Sequence, residues 1–163
     1  MKTNKTYPVI LMVDDDPDDY YLTKAALEES GAQTELYLVA DGQELLDYLF
    51  CQGKFADSER AAHPSLILLD LNMPIKNGKE ALTALKADPG LRQIPVVIYT
   101  NSTAEEDIVS SYQLGASSYI PKPASFQSLV ETMGTLSRYW LDIAMLPFME
   151  SGTPETGEQA LAR

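Results

Sequence analysis

LILLDLNMP, residues 66–74, decides the fold. Four aliphatic residues run without a polar interruption, stop at Asp70, and give way to a proline-containing turn. A strand with this pattern is buried on both faces, as in a parallel sheet. A carboxylate left at its end is costly to bury unless something there uses it.

Four more runs of the same kind flank this one: PVILMV (8–13), TELYLVA (34–40), IPVVIYT (94–100) and SSYIPK (117–122). Helix-period segments alternate with them. Asp16-Pro17 is an N-cap followed by proline at the first helical position, and Gly31 closes that helix. Asp41-Gly42 opens a second helix with Leu45, Leu46 and Leu49 on one face, and Gly78 a third with Ala81, Leu82 and Leu85. Thr103 is expected to cap a fourth, with Ile108, Val109 and Tyr112 as its apolar residues. The fifth is expected from Ser125 to Leu146, with Phe126, Leu129, Met133, Leu136, Trp140 and Ile143 facing the sheet. Five βα units predict a doubly wound α/β fold with helices on both faces of a five-stranded parallel sheet. In such sheets the functional crevice lies beyond the carboxyl ends of the strands.

The 163 residues suit one domain, expected over 1–150, with a Gly/Thr/Glu-rich tail over 151–163 expected to be disordered. A net charge of −12 argues against nucleic acid and anionic membrane as partners, since both require clustered Lys and Arg. Cys51 is the single cysteine, which rules out an internal disulfide and a thiolate zinc site. No apolar run approaches membrane length, so a cytoplasmic location is expected.

The strand ends carry the chemistry. The first ends in Asp14-Asp15-Asp16, the third in Asp70, the fourth in Thr100 and the fifth in Lys122. Carboxylates about 4 Å apart repel by roughly 4 kcal/mol per pair at an effective dielectric of 20. A hard divalent cation with oxygen ligands, Mg²⁺ or Mn²⁺, relieves that repulsion. Carboxylates for a metal, one carboxylate nucleophile, a hydroxyl and an ammonium together suit phosphoryl transfer.

VDDD, LDLNMPIKNG, YTN and GASSYIPKP, each at its strand end and in this order, resemble the CheY-like receiver family of response regulators over about residues 8–146. The resemblance implies strand order 2-1-3-4-5, Asp70 as phosphoacceptor, and Mg²⁺ held by Asp15, Asp70 and the Asn72 carbonyl, with Asp14 acting through water. It implies Thr100 and Lys122 on the phosphoryl oxygens, Tyr119 as an aromatic switch, and a cis peptide at Lys122–Pro123. Its partners would be a sensor histidine kinase and, for onward transfer, a histidine phosphotransfer protein. The long loop at 53–64, the extended RYWLDIAMLP helix and the Thr100-Asn101 pair resemble the receivers that partner bacterial phytochromes. That narrower likeness implies a phytochrome-type kinase and a homodimer through the fourth helix, fifth strand and fifth helix, with Val130, Leu141, Ala144 and Met145 on the shared face.

Plainer roles compete at several positions. Asp16 suits an N-cap better than a metal ligand, and Asp18 and Asp19 read as partners of the helix dipole. His63 reads as a solvated surface histidine and Cys51 as a packed small hydrophobe. Asn101 and Ala124 depart from the residues frequent in receivers, Ala and Phe. An aspartate-nucleophile phosphohydrolase of the haloacid dehalogenase kind would want a second aspartate at position 72, where this chain has Asn. A flavin module would want a Ser/Thr/Gly cradle where DDDPDD stands. A phosphorylation-independent scaffold leaves the site groups without a use. The residues therefore favour a stand-alone phosphoacceptor switch that signals through protein contacts rather than by turnover.

Overall fold

The computed structural model describes residues 6–56 and 63–147; the expected tail at 151–163 and part of the 53–64 loop lie outside them. Five strands, β1 (Val9–Val13), β2 (Glu35–Val39), β3 (Leu66–Leu69), β4 (Val96–Thr100) and β5 (Ser118–Pro121), pair in parallel in the order β2-β1-β3-β4-β5. Between and after them come α1 (Pro17–Glu29), α2 (Gly42–Leu49), α3 (Gly78–Ala87), α4 (Glu105–Gln113) and α5 (Phe126–Ser137). A 3₁₀ turn spans Gly53–Phe55, and a π-helical segment, Arg138–Ile143, follows α5.

Alternation along the strands divides the apolar residues between two cores. Leu11, Val13, Ile67, Leu69 and Ile98 meet Leu45 of α2 and Leu82 and Leu85 of α3 on one face. Ile10, Met12, Leu66, Leu68, Val97 and Tyr99 meet Ala26 and Leu27 of α1 and Leu129, Met133 and Leu136 of α5 on the other. With both faces covered, every residue of β1, β3 and β4 is buried. β5 is different: as an edge strand it is only half-buried.

Several local expectations need correction. Thr103 does not cap α4; the cap position is Ala104 and makes no side-chain bond, while Ser102 accepts from the Ala104 amide at 3.3 Å. Val109 and Tyr112 of α4 are about half exposed, because only Ser111 of that helix is fully buried. The last helix changes character after Ser137. There the i→i+5 spacing of a π-helix, seen in the Ala144 amide bonding to the Tyr139 carbonyl at 2.7 Å, breaks the 3.6-residue stripe. Ile143 consequently turns outward at 60% exposure, and Phe126, at the first turn of α5, is also exposed. Val130 and Leu141 pack against the α1–α5 core instead of standing free on a second face. Ala144 is half-buried, and of the four residues expected at a shared face only Met145 is exposed.

Cys51 is exposed rather than packed, with φ of +52° just after α2. His63 is exposed, as expected. All described peptide bonds are trans, so the cis bond expected at Lys122–Pro123 is absent. The Lys122 amide donates to the Thr100 carbonyl at 2.7 Å, which continues the β5 ladder, and the long side chain reaches the rim without a reversed peptide.

Candidate functional site

The sheet register gathers the site. β1 and β3 are neighbours with Val13 opposite Leu69, so Asp14 and Asp70 emerge side by side. The ladder runs one step past each strand: the Asp14 amide donates to Val39 O and the Asp70 amide to Val13 O, both at 3.0 Å. Thr100 lies opposite Pro121, which brings Lys122 to the same rim. Gly78 at the start of α3 lets that helix approach the turn after β3, its amide donating to Leu71 O at 3.0 Å. Asn77 caps α3 reciprocally with Glu80, holding the LNMPIKN loop at its helix end.

Carboxylate oxygens of Asp14, Asp15 and Asp70 all lie within 4.8 Å of one another. Asp14 is 1% exposed and Asp70 7%, while Asp15 faces solvent. These groups, with Asp16, Asp19, Asn72, Asn101 and Lys122, line a cleft of about 190 Å³. A wider polar cleft adjoins it at Asp15 and Asn72, reaching Lys79 and Asp107. Three hard oxygen donors at this spacing fit a magnesium or manganese ion and do not suit a soft metal.

Lys122 is the electrostatic centre. Its Nζ lies 2.7 Å from Asp14 Oδ2, 2.7 Å from Asp19 Oδ2 and 3.4 Å from Asp70 Oδ2. The Tyr99 ring lies beneath, with its centroid 5.8 Å from Nζ. Burial disfavours the lysine's charge, but hydrogen bonds to Asp14 and Asp19 outweigh it and hold Lys122 above the ordinary lysine range. Burial pushes the Asp14 carboxyl up, against the lowering effect of Lys122 and the Asp16 amide. Burial likewise pushes the Tyr99 phenol up to about 12.

Asp70, Asp14, Asp15 and Lys122 therefore converge as the strand ends predict. Asn72 joins them, its amide 3.4 Å from Asp70 Oδ1. Asp16 is the N-cap of α1, accepting from the Asp18 amide at 2.9 Å. Thr100 is fully buried, its Oγ1 3.5 Å from the Ser102 amide; its neighbour Asn101 faces the cleft. Tyr119 is half-buried further along the rim, its hydroxyl donating to Ser102 O at 2.8 Å.

Asp19 is more than a dipole partner, since it holds Lys122. Its position in the first turn of α1 carried a clue: helical side chains lean towards the N-terminus, here towards the rim. Sequence reasoning also missed the polar chain below Tyr119. Ser102 Oγ donates to Asp107 Oδ2 at 2.6 Å, and Asp107 Oδ1 pairs with Lys79 of α3 at 2.7 Å. No pattern in the sequence announces that pair, whose members are 28 residues apart.

A doubly wound sheet with this acidic cluster and a lysine at its rim fits a phosphorylation site of the two-component kind. The family model for the response regulator receiver domain matches residues 10–134, and the chain belongs to that family. It is 37% identical over 139 residues to the response regulator Rcp1 of Synechocystis sp., covering 85% of this chain and 92% of Rcp1. Among solved structures, the phosphorylated cyanobacterial phytochrome response regulator RcpA superposes with a TM-score of 0.78 at 39% identity, covering 87% of this chain and 99% of RcpA. The Mn²⁺-bound form of Rcp1 gives 0.75 at 37%, covering 86% and 99%. No described helix is long and apolar enough to cross a membrane.

Proposed function

We propose that the chain, over about residues 1–150, is a phosphoacceptor switch that takes a phosphoryl group on Asp70 from a sensor histidine kinase of the phytochrome type. The observation that carries this reading is the convergence of Asp14, Asp15 and Asp70 under the Lys122 ammonium. The kinase type rests on the likeness to RcpA and Rcp1.

In the transfer, an Asp70 carboxylate oxygen attacks the phosphorus of a phosphohistidine. The phosphorus–nitrogen bond breaks, its electron pair leaves with the imidazole, and an acyl phosphate remains. Asp15, Asp70 and the Asn72 carbonyl would hold Mg²⁺ or Mn²⁺, with Asp14 through water, and a dication there would neutralise charge on the phosphoryl oxygens. Lys122, with Nζ 3.4 Å from Asp70 Oδ2, supplies a positive charge already at the acceptor. Without an aspartate at position 72 to give and take a proton, hydrolysis is slow and the modification persists as a signal.

The switch runs through Thr100. Its hydroxyl turning to the phosphoryl group gives up the Ser102 amide, and Ser102 O accepts from Tyr119, so the β4–α4 loop and the aromatic ring move together. Their displacement alters the half-buried β5 face and the exposed Val109 and Tyr112 of α4, whose Tyr112 hydroxyl accepts from the Tyr119 amide at 3.1 Å. A homodimer through α4, β5 and α5 forms there; Val130 and Leu141 are packed into the core, which leaves Met145 as the exposed member of the set expected at the shared face. A histidine phosphotransfer protein is an alternative recipient of the signal.

Acetyl phosphate with Mg²⁺ is expected to add one phosphoryl group, seen by intact mass, and Asp70→Asn to abolish it. Labelling of Asp70→Asn at the native rate would end the assignment. Sedimentation in the presence and absence of beryllofluoride tests the dimer, which a monomer at tens of micromolar in both states would refute.

A further inference from the structure

Lys122 spends one of its two shortest contacts on a group that no strand end supplies. Asp19 comes from the first turn of α1, and its Oδ2 sits as close to Nζ as that of Asp14, at 2.7 Å, while Asp70 is at 3.4 Å. An ammonium has three donors and no more. Two of them are therefore committed away from the carboxylate that reacts.

The three contacts differ in what their release costs. Asp14 is 1% exposed, and its other oxygen already accepts from the Asp16 amide at 2.9 Å, so losing Lys122 would leave a buried charge unpaired. The Asp19 side chain is 27% exposed, and water can take the ammonium's place. A phosphoryl group on Asp70 adds charge on the side of Nζ where the present contact is longest. We infer that Asp19 is a positioning residue that competes with the phosphoryl group for Lys122: it holds the ammonium before phosphorylation and is the partner given up when the phosphoryl oxygens arrive. The inference rests on Asp70 being the acceptor, and it adds a residue that sets how readily that site is filled.

Neutralising Asp19 then makes Lys122 available at lower cost. A partly exposed ion pair of this kind is worth up to about a fivefold change in an equilibrium or rate. Asp19→Asn is expected to label about fivefold faster with acetyl phosphate under saturating Mg²⁺, and to half-saturate with beryllofluoride at a correspondingly lower concentration, followed by ¹H–¹⁵N NMR. Asp18→Asn is the control, since it removes the same charge one residue away from an exposed side chain and should stay within about twofold of the native protein. Asp19→Glu keeps the anion and should restore native behaviour.

The outcomes separate. If the native chain takes neither phosphoryl group nor beryllofluoride, the acceptor assignment itself fails. If it takes both and Asp19→Asn only matches Asp18→Asn, Asp19 merely adds to the general field and the inference is overturned. A slower Asp19→Asn also overturns it, because Asp19 would then be assisting Lys122 rather than competing for it. A fall in thermal midpoint with unchanged labelling and beryllofluoride affinity would make Asp19 a clamp between α1 and β5 and nothing more. Should Asp19→Asn fail to fold, Asp19→Ser removes the same charge and is judged by the same comparison.

Discussion

Replacing Gly78 by alanine should damage the site from beneath. A Cβ at this position would overlap the Asp70 carbonyl oxygen and lie 2.8 Å from Leu71 Cα and 3.0 Å from the Asp70 carbonyl carbon. Comfortable carbon–carbon contact needs about 3.5–4 Å, so one backbone must retreat by roughly 1 Å. No rotamer change relieves this, because the atoms met are main chain. Both sides are tied, Gly78 N–H to Leu71 O and Asp70 N–H to Val13 O, each at 3.0 Å. Overpacking costs about 1–3 kcal/mol, and two fixed backbones put this case near the upper end. For a chain of this size the thermal midpoint should fall by about 6–10 °C. Moving the Asp70 backbone by that amount should slow labelling by acetyl phosphate about a hundredfold. Gly31→Ala is the comparison: φ there is +78° and no atom lies within 4 Å of the added Cβ. It should cost about 1 kcal/mol from the left-handed backbone and leave labelling at the native rate. If calorimetry and mass spectrometry find the two variants equally stable and equally labelled, close packing of α3 under Asp70 is not what holds the carboxylate in place.

Lys122→Met leaves Asp14 and Asp70 buried without their cation, at a cost of about 3–5 kcal/mol in metal-free buffer. Millimolar Mg²⁺ should return much of that loss while stabilising the native protein less; equal gains in urea midpoint would show that metal and lysine do not share the same charge. Ile75 is β-branched, 83% exposed and held at φ of +65°, so Ile75→Gly should remove about 1–2 kcal/mol of backbone strain. After about 0.5–1 kcal/mol of unfolded-state entropy is set against it, the variant should still melt slightly higher, and a lower midpoint would refute the strain. Tyr48 and Tyr99 have phenols pushed up to about 12 by burial, and Lys122 lies above its ordinary value as well. With folded values above unfolded ones, the stabilisation is complete below about pH 10 and is lost as the pH rises towards 12. Denaturation midpoints should therefore fall across that window, and absorbance titration should find two tyrosines that ionise only with unfolding; a flat profile between pH 10 and 12 would contradict their burial.

Much of this molecule could be read along the chain. Aliphatic runs ending in Asp14, Asp70, Thr100 and Lys122 announced a parallel sheet and a reactive rim, because burial on both faces and the end of a strand are local properties of the sequence. Asp16, Asp41 and Ser125 announced helix starts for the same reason: a cap bonds amides two or three residues away. Extrapolating the 3.6-residue stripe past Ser137 failed because the backbone there widens to a π-helix, which no residue between Arg138 and Ile143 declares. The partnership of Asp19 with Lys122 and the chain from Tyr119 through Ser102 and Asp107 to Lys79 were decided only by tertiary packing. Their partners are far apart in sequence, and a side chain's charge and position on its own element do not say which distant group the fold will bring within hydrogen-bond reach.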